Sequence, residues 1–269
     1  MPGDARPIGI FDSGVGGLTV YRALRARLPQ ESFIYLGDTA RIPYGTRSPE
    51  TIRRYAREDA AFLLACGVKL IVVACNTASS LALAQLQAEA PVPVIGMIEP
   101  GAQQAAATTR TRRVGVIGTE ATVASAAYPL AIHRIAPEIE VVAQCCPLFV
   151  PLVEEGWAAH PVTATVAAEY LAPLRQSGVD TLVLGCTHYP LLAEVIQPVM
   201  GDAVTLVDSG SCAAQEVATV LSRRGCLAPP TATPWTRFCV TDAGDRFRRV
   251  AELCLQETLP TLESVRVET

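Results

Sequence analysis

The apolar positions of the chain fall into short unbroken runs, separated by stretches in which they recur at helical spacing. Pro7–Phe11 is the first run and ends in Asp12-Ser13-Gly14-Val15-Gly16-Gly17. Leu18 to Leu28 then places apolar residues at helical spacing with arginines on the other side, and Pro29 ends it. Phe33–Leu36 reads as a second strand, followed by a loop dense in turn residues, Gly37 to Gly45, and a helix from about Pro49 to Ala65. Ile71 to Ala74 is a buried-strand run that stops at Cys75, with helix-capping residues and an alanine- and leucine-rich helix behind it. A strand is expected at Val92–Ile98, and the plan restarts at Arg113–Ile117 with the Gly118-Thr119 loop and a helix. Val141–Cys145 follows, then a loop from Cys146 to Gly156, the run Thr181–Gly185 ending at Cys186, and Val204–Val207. Pro190 suits the first turn of the helix expected after Cys186.

Strands and helices alternating in units of this length predict an α/β fold with mostly parallel sheets flanked by helices. The two halves overlay weakly, Asp12 on Thr119, Cys75 on Cys186 and Glu99 on Asp208, at a nearly constant offset of about 110 residues. The expectation is two similar domains related by a pseudo-twofold axis, with the active site in the cleft between them. Residues 1–98 with 211–269 form the first, carrying Cys75; residues 99–210 form the second, carrying Cys186. The tail after Gly210 reads as a helical segment, a proline-rich loop from Ala228 to Pro234, a short apolar stretch near Phe238 and a helix around Asp245 to Leu255, returning to the first domain.

Composition narrows the functional classes. With 269 residues, half of them apolar and 18% charged, the chain has the means to bury a large core. A net charge of −4 and short, interrupted arginine sets argue against a nucleic-acid partner. Every apolar run is broken well short of the roughly 20 residues that span a bilayer, so no membrane association is expected. The amino-terminal Met-Pro-Gly-Asp-Ala-Arg-Pro has no apolar signal core, which predicts a protein that is not exported. The nine cysteines are scattered with no C-x-x-C pair, which fits neither a disulfide framework nor a metal site and points to the reducing cytoplasm.

Most of these thiols are accounted for by packing alone. Cys75 and Cys186 differ from the rest because both stand at the carboxyl tip of a strand, where ligands bind in open α/β sheets. A nearby helix amino terminus also favours a thiolate. One thiol on each side of a cleft suits a reaction that removes a proton from one face of a carbon and returns it on the other. Ser13, Asn76, Thr77 and Thr187 lie at strand-to-helix junctions, where they either cap helices or help bind carboxylates. Tyr44-Gly45 forms a turn or closes over a ligand. Asp12 either makes a turn or holds an ammonium group or orients Cys75, and His188 stands two residues from Cys186. His133 and His160 have no such context.

Two other chemistries compete. Gly14-Val-Gly16-Gly17 with Asp38 approaches a dinucleotide fingerprint, but the third glycine is missing and Asp12 would face the pyrophosphate. A thiol hydrolase built on Cys186 and His188 leaves Cys75 without a purpose. Pyridoxal chemistry needs a lysine in the site, and the only lysine, Lys69, precedes Cys75 by six strand residues, roughly 20 Å.

The blocks IGIFDSGVGGLTV at 8–20, YLGDTARIPYG at 35–45, VACNTAS at 73–79, CPLFVPLVEEG at 146–156, LGCTHYPLL at 184–192 and VDSG at 207–210 resemble the glutamate racemases of the aspartate/glutamate racemase family. The resemblance implies a cofactor-independent, metal-free enzyme that interconverts L- and D-glutamate and supplies D-glutamate for peptidoglycan. It implies that Cys75 and Cys186 are the catalytic thiols, with Asp12 assisting on the Cys75 side and His188 with Glu154 on the Cys186 side. It further implies substrate binding by Asp12, Ser13, Tyr44, Gly45, Asn76, Thr77, Thr187 and His188, and assembly as a homodimer. Aspartate racemases share the two-thiol plan; the DTARIPYG and GCTHYPLL blocks favour glutamate.

Overall fold

Strands β1 (Ile8–Asp12), β2 (Phe33–Gly37) and β3 (Leu70–Val73) are buried along their whole length, as unbroken apolar runs require. In this computed structural model, which describes residues 3–242, 245–258 and 261–267, they form the centre of a parallel sheet. Met1 and Pro2 of the amino-terminal stretch, and 243–244, 259–260 and 268–269 of the tail, lie outside the described residues. The sheet is completed by β4 (Val94–Ile95), β9 (Thr236–Val240) and β10 (Leu262–Ser264) in the order β10-β9-β2-β1-β3-β4. The tail therefore returns to the first sheet, β9 pairing in parallel with β2.

A second parallel sheet has the order β6-β5-β7-β8, from β5 (Arg113–Gly118), β6 (Glu140–Cys145), β7 (Thr181–Gly185) and β8 (Thr205–Asp208). The chain thus makes two parallel-sheet α/β domains flanked by helices. Ile8, Ile10, Leu70, Val72, Leu182 and Tyr189 are fully buried, and each such side chain contributes about 1.5–3 kcal/mol of transfer free energy.

The helices α1 (Leu18–Arg27), α2 (Pro49–Ala65) and α3 (Asn76–Glu89) follow β1, β2 and β3. For α2 the boundary chemistry is local: the Ser48 hydroxyl accepts from the Thr51 N–H, Pro49 opens the first turn, and Gly67 beyond the end adopts φ +75°.

The sequence reading departs from the structure in four places. The strand expected at Val92–Ile98 is only Val94–Ile95, because Pro91 and Pro93 lack the N–H a ladder needs, and Ile98 already begins α4 (Ile98–Thr108). The helix expected after Thr119 is two, α5 (Glu120–Ala124) and α6 (Ala127–Ile135), divided where Ala126 takes φ +52°. The loop expected from Cys146 to Gly156 contains α7 (Phe149–Glu154), with Phe149 and Val153 buried one turn apart and Pro151 in the first turn, where no donor is required. After Cys186 the chain first makes a 3₁₀ turn, Tyr189–Leu192, and only then α9 (Ala193–Met200). The remaining helices are α8 (Pro161–Gln176), α10 (Ser209–Arg224) and α11 (Asp245–Leu255).

Helix α10 packs against both α1 and α4, so it bridges the two halves. Among the described residues no helix is long and apolar enough to cross a membrane.

Candidate active site

The carboxyl ends of β1, β3, β5, β6 and β7 converge on one cavity of about 400 Å³, in the size range of small-molecule sites. Its wall includes both strand-tip thiols, Cys75 and Cys186, together with Ser13, Tyr44, Gly45, Asn76, Thr77, Glu154, Thr187 and His188. Asp12, the remaining candidate, is fully buried beneath the wall, where its Oδ2 accepts from the Gly14 N–H at 3.0 Å. Several lining residues were not site candidates from sequence, among them Ile42, Thr119, Glu120, Pro147 and Val150. The pairing of Thr119 with Asp12 in the internal repeat was the available signal for one of them.

Cys75 lies two residues beyond β3 as the cap of α3, and its sulfur accepts from the Ala78 N–H at 3.5 Å. Its other contact is the Ser13 hydroxyl, 3.7 Å away. Burial, reinforced by the nearby Asp12 carboxyl, pushes the thiol up to about 12, so it is protonated at neutral pH. The Asp12 carboxyl is itself raised by burial, an effect opposed by the His188 charge and the loop N–H groups.

On the opposite side the Cys186 sulfur lies 3.9 Å from Nδ1 of His188, whose Nε2 is 3.3 Å from Glu154 Oε1. Burial alone would lower the histidine, but the Cys186 hydrogen bond and the Glu154 carboxylate overcome it and lift the pKa from 6.5 to about 10. His188 therefore carries its proton at neutral pH. His133 bonds a backbone carbonyl and His160 caps α8, both structural roles.

The two domains touch around this cavity through short side chains. Asn76 accepts from the Tyr128 hydroxyl at 2.7 Å and donates to Ser209 at 3.4 Å, while the Thr77 hydroxyl is 2.9 Å from that of Thr119. A Cβ on Gly16 would lie 2.4 Å from Thr187 Oγ1, and one on Gly45 would lie 3.0 Å from Thr119 Cβ. Gly16 of the first loop thus serves the close approach of Thr187 and His188. Asp38, the acid a dinucleotide ribose would need, is fully buried and paired with Arg41 at 2.6 Å. The loop and its acid are both occupied by the protein itself, which removes the dehydrogenase alternative. Lys69 points to the other end of the sheet, bonded to Glu31 at 2.6 Å and to the Asp4 and Cys226 carbonyls.

None of the residues lining the cavity is lysine or arginine. What it offers a ligand is hydroxyls, an amide, backbone at helix starts, two thiols and a protonated imidazole, beside the carboxylates of Glu120 and Glu154.

The model of the Asp/Glu/hydantoin racemase family matches residues 10–217 of the chain. A glutamate racemase of Geobacter metallireducens is 54% identical over 263 residues, covering 98% of this chain and 97% of that protein. Among solved structures, a glutamate racemase isoform of Bacillus anthracis superposes with a TM-score of 0.93 at 39% identity, covering 97% of both chains. The glutamate racemase of Francisella tularensis, solved in complex with D-glutamate, superposes with a TM-score of 0.92 at 42% identity, covering 98% of this chain and 99% of that one.

Proposed function

The chain belongs to the Asp/Glu/hydantoin racemase family, and from that premise we propose that it interconverts L- and D-glutamate without a cofactor. The observation that carries the reading is the pair of thiols, Cys75 and Cys186, on the wall of one cavity. One sulfur takes the α-proton from one face of the substrate and the other returns a proton to the opposite face; the reverse reaction exchanges the roles.

Cys75, held protonated by its burial, is ready as the donor. Asp12 assists it from below, and His188, backed by Glu154, assists Cys186. Ser13, Tyr44, Gly45, Asn76, Thr77 and Thr187 hold the carboxylates and the amino group. On the same reading, one domain comprises residues 1–98 and 211–269, the other residues 99–210, and the divisions fall in the first turns of α4 and α10. The family resemblance supports a cytoplasmic homodimer that supplies D-glutamate to peptidoglycan.

The test is incubation of the purified protein with L-glutamate, and separately with L-aspartate, in deuterium oxide without added cofactor. Glutamate should gain α-deuterium and lose optical rotation. Inversion of aspartate in preference to glutamate, or of neither, would overturn the assignment.

A further inference from the structure

Beneath the Tyr44–Thr46 wall of the cavity lies a cluster of charge in which only Tyr44 reaches the cavity. The Arg41 side chain is only 12% exposed. Its Nε donates to Asp38 Oδ2 at 2.6 Å, its two terminal nitrogens reach Asp59 Oδ1 at 3.0 Å and Glu58, and its guanidinium lies over the Tyr55 ring at 4.1 Å. The Tyr44 hydroxyl hydrogen-bonds Asp38 Oδ2 and lies 2.9 Å from Asp59 Oδ2.

A phenol has one proton, yet this one faces two carboxyl oxygens. One of the two contacts must be made by a proton from the acid. Asp38 is filled with donors, since Arg41 and Tyr44 serve its Oδ2 and the Thr241 hydroxyl serves its Oδ1 at 3.0 Å. The Oδ2 of Asp59 has the Tyr44 oxygen before it, so the extra proton belongs there. Burial, with Asp38 close by, pushes the Asp59 carboxyl well above the usual carboxylate range, in the same direction.

We propose that Arg41 and a neutral, proton-donating Asp59 are positioning residues for the substrate, fixing the Tyr44–Thr46 wall against which it binds. The proposal rests on the racemase reading above. Neither side chain lines the cavity, so both act through Tyr44, whose hydroxyl is fixed by Asp59 and by the Asp38 that Arg41 holds. A fixed wall is felt in binding before it is felt in proton transfer, which separates the effect from general loss of structure.

The experiment compares Arg41→Met, Asp59→Asn and Asp59→Ala by racemisation kinetics. Arg41→Met and Asp59→Ala should each raise KM for glutamate about tenfold or more with kcat within about threefold. Asp59→Asn should keep both constants within about twofold, because an amide offers the same donor and acceptor as the neutral acid. An Asp59→Asn enzyme as impaired as Asp59→Ala would overturn the neutral-acid assignment, and an unchanged KM in Arg41→Met would overturn the positioning role. Should Arg41→Met fail to fold, the two Asp59 variants decide. If the wild-type protein does not racemise glutamate, the racemase reading fails by itself. Asp59 is then judged by infrared spectroscopy: a protonated-carboxyl carbonyl band present at neutral pH and lost in Asp59→Asn supports its neutral state, and its absence from the wild type refutes it.

Discussion

Glu154 stands 3.3 Å behind the His188 ring nitrogen that faces away from Cys186. A carboxylate in that position holds the imidazole in its charged form and fixes which way its other N–H points. Glu154→Gln should therefore bring the histidine back toward neutrality and lower kcat/KM about tenfold. Because L- and D-glutamate have equal free energy, the fall must be the same in both directions. Histidine NMR titration and polarimetry check the two halves; a histidine pKa that does not move would refute the link.

The same pKa sets a dependence on alkali. His188 titrates at about 10 in the folded chain against 6.5 as a free side chain, so its contribution to stability is complete below about pH 6.5 and is lost as the pH rises through about 10. Urea midpoints should decline across that window in the wild type and decline less in His188→Asn. Activity should show an alkaline limb near the upper end. A flat difference between the two proteins from pH 6 to 10 would contradict the shift.

Replacing either thiol by a hydroxyl removes a proton carrier of suitable pKa from one face only. Cys75→Ser and Cys186→Ser should each reduce racemisation by about a thousandfold or more while glutamate still binds by calorimetry, since the remaining wall residues are untouched. Near wild-type turnover in either variant would show that one base serves both faces.

Gly16→Ala tests the domain contact. The added methyl group would sit 2.4 Å from Thr187 Oγ1 and 2.5 Å from His188 Nδ1, both atoms of the reacting side. Relief requires the second domain to move, so the variant should lose about 1–3 kcal/mol of stability in urea and most of its activity. A stable, active Gly16→Ala protein would mean the cleft is looser than these distances indicate.

The central strands were legible because parallel strands buried on both faces leave unbroken apolar runs, as in Ile8–Phe11 and Leu70–Val73. The thiols were legible because each stands where such a run stops. What stayed hidden depends on partners distant in sequence. Nothing near Arg41 announces that Glu58 and Asp59 will meet it, and nothing near Thr119 announces Thr77. Helix α7 was obscured by Pro147 and Pro151, although the second lies where a helix tolerates proline. Asp38 shows the opposite error, a strand-end acid at the position of a ribose ligand that is spent on holding Arg41 and Tyr44.

A cavity walled without lysine or arginine also governs how its ligand arrives. Its cationic side chain, His188, is faced by the Glu154 carboxylate, so glutamate, with a net charge of −1, approaching a chain of net charge −4 feels no attraction over distance. Capture then proceeds by ordinary diffusion, and the encounter rate should scarcely respond to ionic strength.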